Sequence, residues 1–159
     1  MNLTAVIFVA IIAVLASVIT AYTMRNVNSF YNSKMIKSSR QPPSFVFMFA
    51  WTFLYISYAI SFQYLYNEDK DNTYMIYLFS LNMILNLLWV IVFFWGGNLI
   101  LSQIIIVLLL LLTLYQAYYV YTELDYIEYN YFVTIMLLTY AGWLCIATTL
   151  NFQTHYIVS

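Results

Sequence analysis

The chain has 159 residues, of which 65% are hydrophobic and 7% charged, with a formal net charge of -1. A soluble domain carries about 25% charged residues, and a chain with so few cannot cover itself in water. Near-neutral charge and the lack of a basic stripe also exclude nucleic acid as a partner, so the lipid bilayer is the solvent in which the sequence has to be read.

The five basic and six acidic residues all fall outside five long apolar runs, at 3–22, 44–66, 73–95, 99–121 and 131–151. Each run is roughly twenty residues or slightly more, the length an α-helix needs to cross about 30 Å of hydrocarbon at about 1.5 Å per residue. Barrel strands alternate apolar and polar residues, whereas 104–112 is continuously apolar. The expected fold is an all-α integral membrane protein: one domain over 1–159, a five-transmembrane-helix bundle with no room for a separate soluble domain.

The first run reads as a span rather than a signal peptide, because 1–6 holds no Lys or Arg and the apolar block is too long for a signal core. Ala13, Ser17 and Ala21 form a stripe of small residues that suits close helix contact, within the bundle or in a homodimer. The loop that follows carries Arg25, Lys34, Lys37 and Arg40, is rich in Asn and Ser, and ends in Gln41-Pro42-Pro43. The second proline suits the first turn of a new helix. A loop of this length is either a lid or a solvated connector anchored by its bases at lipid headgroups.

In the second run Trp51, Tyr55, Tyr58 and Phe62 recur at i, i+4, i+7 and i+11, one helical face. The acidic cluster Glu68, Asp69 and Asp71, with Lys70, follows. In the third run Asn82, Asn86, Trp89 and Phe93 repeat the spacing, and an unpaired amide is costly in hydrocarbon, so this face turns inward. Gly96-Gly97-Asn98 is a tight neutral turn. The fourth run ends in Tyr118, Tyr119 and Tyr121, which suit an interfacial belt. The connection 122–130 carries Glu123, Asp125 and Glu128 without a base. In the fifth run Tyr140, Trp143, Ala147 and Leu150 again share a face, and Ala141, Cys145 and Thr149 form a second small-residue stripe. Lys and Arg bias sets topology, which places the first loop and the C-terminus in the cytosol and both acidic loops opposite.

The spans hold no Asp, Glu, Lys, Arg or His, which excludes an ion pump or proton relay built on mid-membrane charges. His155 stands alone in the tail and makes a poor metal site. Cys145 has no second cysteine to pair with. Ser57, Ser61 and Ser80 lack a base, so a hydrolase triad has no parts. No catalytic residue, metal site or obligatory cofactor is assigned. The three aromatic and amide faces either line an apolar pocket with a few polar anchors, the usual form of a small-ligand site, or pack helices with amides as interhelical glue; spacing leaves both open.

Three blocks carry a family resemblance. Pro42-Pro43-Ser44-Phe45-Val46-Phe47-Met48-Phe49-Ala50-Trp51-Thr52-Phe53-Leu54-Tyr55 resembles PPxWxFxPVWTxLY. Leu85-Asn86-Leu87-Leu88-Trp89 with Phe93-Phe94 is similar to LNxxWSxxFF. Thr139-Tyr140-Ala141-Gly142-Trp143-Leu144-Cys145-Ile146-Ala147-Thr148-Thr149-Leu150-Asn151 resembles PYLxWxxFAxxLN. Together, in this order on spans two, three and five, they look like the tryptophan-rich sensory protein and translocator protein (peripheral benzodiazepine receptor) family, TspO/MBR.

The resemblance implies a five-helix bundle, often a homodimer, with a pocket toward the first loop. It implies binding of a porphyrin such as protoporphyrin IX or of a sterol-like molecule, for transport or sensing; for a eukaryotic host it points to the mitochondrial outer membrane. Matching positions make Trp51, Asn86, Trp89, Trp143, Ala147 and Leu150 the expected ligand-binding residues, with Phe45 and Tyr55 beside them. An indole stacks on a flat macrocycle and donates one hydrogen bond, Asn86 can bond a carbonyl or propionate, and Ala147 keeps the wall low. One alternative is a light-dependent porphyrin-degrading enzyme using Trp51 and Trp143; another is a structural or regulatory partner with a degenerate pocket. The departures are informative. Phe45 stands in place of a tryptophan and loses its donor. Phe49 and Thr139 replace prolines, which implies straighter helices. Val90-Ile91 replaces Ser-Pro. Tyr66 stands where the family has a further tryptophan, against photochemical breakdown. Phe152 and the lack of a base after Tyr156 break the family's cholesterol motif.

Overall fold

The computed structural model describes residues 4–25, 44–68 and 73–158. The basic part of the first loop with its prolines, and Asp69–Asn72 of the second connection, lie outside the described residues, as does the side chain of His155. Among the described residues five helices run in sequence: α1 (Thr4–Arg25), α2 (Ser44–Glu68), α3 (Thr73–Val90, continued by a π-helical turn over Ile91–Trp95), α4 (Leu99–Glu123) and α5 (Asn130–Val158). No strand occurs among the described residues. Thr73–Trp95, Leu99–Glu123 and Asn130–Gln153 are each long and apolar enough to cross a membrane, and α1 contributes the shorter apolar stretch Val6–Tyr22.

The helices outrun the apolar runs. α2 continues through Asn67 to Glu68, α4 through Thr122 to Glu123, and α5 extends to Val158. Hydropathy marks where hydrocarbon ends, but backbone hydrogen bonding has no reason to stop there, so the helices run on into the headgroup region. The acidic connection is accordingly shorter than the sequence suggests, spanning 124–129, with Glu123, Asp125 and Glu128 all exposed.

α1 packs on α2 and α3, α2 on α5, α5 on α4, and α4 on α3. The helices therefore close a ring in the order α1, α2, α5, α4, α3, and the side chains of α2, α3 and α5 meet inside it. The molecule is apolar outside and keeps a set of amides and hydroxyls within an otherwise hydrophobic core. Ile7, Val14, Val18, Phe49, Ile56, Ile100, Leu111 and Ile135 are each more than half exposed, whereas Asn82, Asn86, Ser102, Thr113 and Gln116 are completely buried. In water that exterior would be a fault; against lipid tails it is the expected surface. Burying amides is what a membrane bundle requires, since hydrocarbon offers them no partner.

The stripe Ala13, Ser17, Ala21 is not the face that α1 buries. Val9, Ile12 and Ala16 point into the bundle, while Ser17 and Ala21 are exposed. On α5 only Ala141 of the second stripe is buried; Cys145 and Thr149 face outward. Phe49 and Thr139, at the two proline positions of the family pattern, are exposed within unbroken helix, and the Thr139 hydroxyl donates to the Ile135 carbonyl at 2.9 Å. Tyr118 and Tyr121 are exposed near the end of α4, and Tyr119 packs edge-on against Tyr74 at 5.2 Å.

The end of α3 differs from the continuous α-helix expected. Over Ile91–Trp95 the ladder lengthens, with the Gly96 N–H donating to the Ile91 carbonyl at 2.9 Å and the Asn98 N–H to the Val92 carbonyl at 3.3 Å. The turn begins where the family pattern has Ser-Pro. Gly97 then reverses the chain at φ 62°, a left-handed conformation that glycine adopts without Cβ strain. The Asn98 side chain caps α4 by accepting from the Leu101 N–H at 3.0 Å.

Candidate ligand site

The three faces read from periodicity converge inside the ring. From α2 come Trp51 and Tyr55, half-buried, then Tyr58 and Phe62, buried. From α3 come Asn82, Asn86, Trp89 and Phe93, all buried, and from α5 buried Tyr140 and Ala147 with half-buried Trp143 and Leu150. Trp51 lies seven positions into α2 and Trp89 seven before Gly96, so the indoles sit about 10 Å below the first-loop end at about 1.5 Å per residue.

Trp51 is the hub of the upper layer. It stacks on Trp89 with centroids 5.8 Å apart and planes at 30°, and meets Trp143 edge-on at 6.4 Å and 88°. Tyr55 and Tyr140 also touch it, at 5.8 and 6.5 Å. Phe93 also stacks on Trp89 at 5.4 Å, a contact one helical turn along α3 that reaches the π-helical segment. These offset and edge-to-face geometries are the ones aromatic quadrupoles favour. The Trp89 indole Nε1 is buried without a hydrogen-bond partner.

Beneath the indoles, Asn86 joins three helices. Its Oδ1 accepts from the Tyr55 hydroxyl at 2.6 Å, and its Nδ2 donates to the Tyr140 hydroxyl at 2.9 Å. A second polar layer lies deeper. Asn82 Nδ2 donates to Thr113 Oγ1 at 2.9 Å and to Gln116 Oε1 at 2.7 Å. Gln116 Nε2 donates to the Tyr58 hydroxyl at 3.1 Å, and that hydroxyl donates to the Phe79 carbonyl at 3.1 Å. The rings of Tyr58 and Tyr140 meet edge-on at 5.8 Å and connect the layers.

Of the residues expected in the site, Trp51, Tyr55, Asn86, Trp89 and Trp143 form this cluster. Ala147 and Leu150 continue its α5 wall over the next two turns toward the first-loop end. Phe45 does not join: it is 60% exposed, because six residues before Trp51 place it about 120° around the helix. The Asn86 amide, expected to reach a ligand directly, is spanned by two tyrosines and keeps one N–H uncommitted. Tyr140 is a central member, although the family motif points to Trp143, Ala147 and Leu150 of the same face. Thr113 and Gln116 had no sequence-level assignment, yet a polar residue amid leucines must find an interhelical partner, and that signal was present in α4.

A closed ring of apolar-faced helices around an aromatic and amide interior defines an integral membrane protein of several spans. Among the described residues Arg25, Glu68, Glu123, Asp125 and Glu128 stand at helix ends or in a connection, so the interior offers stacking, shape and hydrogen bonds. The chain belongs to the TspO/MBR family, whose model matches residues 5–157. A comparison with curated proteins returns no match.

Proposed function

We propose that this protein binds a flat apolar ligand, a porphyrin such as protoporphyrin IX or a sterol-like molecule, between α2, α3 and α5, for transport or sensing. The observation that carries the reading is the convergence of Trp89 and Trp143 on Trp51 above the Tyr55–Asn86–Tyr140 clamp. An indole face separated from its neighbour by a flat ring exchanges one stacking contact for two, so the ligand replaces interactions the protein already makes with itself. Ala147, small and buried, leaves the α5 wall low beside Trp143.

The same reading places the first loop and the C-terminus in the cytosol. Arg25 ends α1 on the side where α3 turns, marked by the Tyr22–Trp95 contact at 5.9 Å, while Glu68, Glu123, Asp125 and Glu128 gather at the other end. Arg25 and Ser44, the helix ends that flank the basic loop, lie on the indole side of the bundle, where basic charge favours a ligand carboxylate at the interface.

Titration of purified protein with protoporphyrin IX tests the proposal. Saturable quenching of tryptophan fluorescence that weakens at least tenfold in Trp143→Ala is expected. Quenching that is linear and unchanged by the substitution refutes it.

A further inference from the structure

The acidic end of the bundle carries an aromatic corner that the indole site does not use. Tyr74, the second residue of α3, meets Tyr119 of α4 edge-on, with ring centroids 5.2 Å apart and planes at 73°. Its hydroxyl shares a 2.9 Å hydrogen bond with the hydroxyl of Tyr115, one turn before Tyr119 on α4. Tyr115, Tyr119 and Glu123 stand at i, i+4 and i+8, so they form one ridge of α4. Tyr74 and Tyr115 are 49% and 43% exposed, and Glu123 is exposed where the apolar run of α4 has ended. Its charge is close enough to act on the Tyr115 hydroxyl. Glu68, Asp125 and Glu128 stand at the same end, with no Lys or Arg among the described residues there.

An interfacial tyrosine needs only to carry its hydroxyl to the headgroups. Here two hydroxyls bond each other instead, which ties α3 to α4 and leaves ring surface exposed. Two aromatic rings set edge-on bring the negative faces of their quadrupoles into one corner, and a carboxylate stands one turn beyond it. Such a corner suits a bulky, weakly hydrated cation, which gives up little water to touch the rings. A primary ammonium is strongly hydrated and loses more. We propose that Tyr74, Tyr115, Tyr119 and Glu123 form a site for a quaternary ammonium group, occupied by the choline headgroup of a phosphatidylcholine in the surrounding bilayer. Depth argues for a lipid. α3 begins and the apolar run of α4 ends at this level, so the corner lies at the hydrocarbon boundary. A choline group tethered to acyl chains reaches it along the seam between α3 and α4. The site lies at the opposite end of the bundle from the indoles and does not depend on what they bind.

Dioleoyl phosphatidylcholine and dioleoyl phosphatidylethanolamine test this, because they share chains, phosphate and net charge and differ only in the methyl groups on nitrogen. Native mass spectrometry of the full-length protein, released from detergent with equal amounts of both lipids, counts the adducts of each. Phosphatidylcholine adducts should outnumber phosphatidylethanolamine adducts by about tenfold. Tyr119→Leu removes one ring face and Glu123→Gln removes the charge, so each should lower the ratio to about threefold, whereas Tyr119→Phe should keep it. Reading a ratio cancels any loss of folded protein. Equal adducts of the two lipids overturn the proposal, as does a ratio that Tyr119→Leu and Glu123→Gln both leave unchanged. Choline chloride equimolar with the lipids should leave the phosphatidylcholine adduct in place; its displacement would make the occupant a soluble cation and overturn the lipid assignment.

Discussion

Replacing Asn86 by leucine is the most direct perturbation of the interior. The two side chains are close in volume, so the change removes hydrogen bonds with little cavity. Asn86 is fully buried and holds Tyr55 of α2 and Tyr140 of α5 at 2.6 and 2.9 Å. Interhelical hydrogen bonds in membranes average about 0.6 kcal/mol and reach about 1.7, so the two together contribute about 1–3 kcal/mol. The substitution also strands the buried Tyr140 hydroxyl, which costs about 1–3 kcal/mol where no water can replace the amide. Tyr55, half-buried, escapes part of that penalty. A net destabilisation of about 2–3 kcal/mol is expected for Asn86→Leu. Tyr140→Phe removes one bond and strands an amide N–H, for about 1 kcal/mol. In the double variant the hydroxyl that leucine would strand is gone, so its loss should fall short of the summed single losses by about 1 kcal/mol. Equilibrium unfolding in mixed detergent micelles, followed by tryptophan fluorescence and helical circular dichroism, measures all three variants. Additivity within about 0.4 kcal/mol would show that the clamp is not a coupled unit and refute the reasoning.

Two further predictions concern the edges of the bundle. Asn98→Ala should destabilise the protein by about 1 kcal/mol, because it removes the side chain that caps α4 at 3.0 Å; Asn98→Ser, which keeps an acceptor, should recover most of the loss in the same unfolding assay. For orientation, Asp125→Cys in a Cys145→Ser background should react with a membrane-impermeant maleimide only from the non-cytosolic side of intact cells or organelles; labelling only from the cytosolic side would reverse the proposed topology.

Much of the architecture was legible because hydrocarbon punishes polar groups more severely than water punishes apolar ones. A segment without charges had to be a helix, and Asn82 and Asn86 one turn apart had to face inward. The inward faces of α2, α3 and α5 follow from period alone, and Trp89 and Trp143 both meet Trp51. Phe45 shows the limit of a motif: it occupies a matching position, but its angle around α2 turns it away from the indoles. The small residues of α1 show another, since Ala13, Ser17 and Ala21 suit close packing wherever they face, and only the neighbours of α1 reveal that Val9, Ile12 and Ala16 do the packing. The π-helical turn at Ile91–Trp95 left no mark in composition, because a one-residue change of hydrogen-bond register depends on how Phe93 and the Gly96-Gly97 turn fit their surroundings.

By itself the sequence determined the solvent, the helices, the residues each helix would hide and the family whose motifs those residues spell. Those properties depend on transfer from water to lipid and on the 3.6-residue period, both local to a segment. Only the tertiary structure decided which hidden groups pair. The ring order α1, α2, α5, α4, α3 brings Tyr140 rather than another hydroxyl to Asn86, gives Asn82 to Thr113 and Gln116, and leaves the Trp89 N–H without an acceptor. Pairing is a property of two helices at a given distance and rotation, and one helix read alone does not contain it.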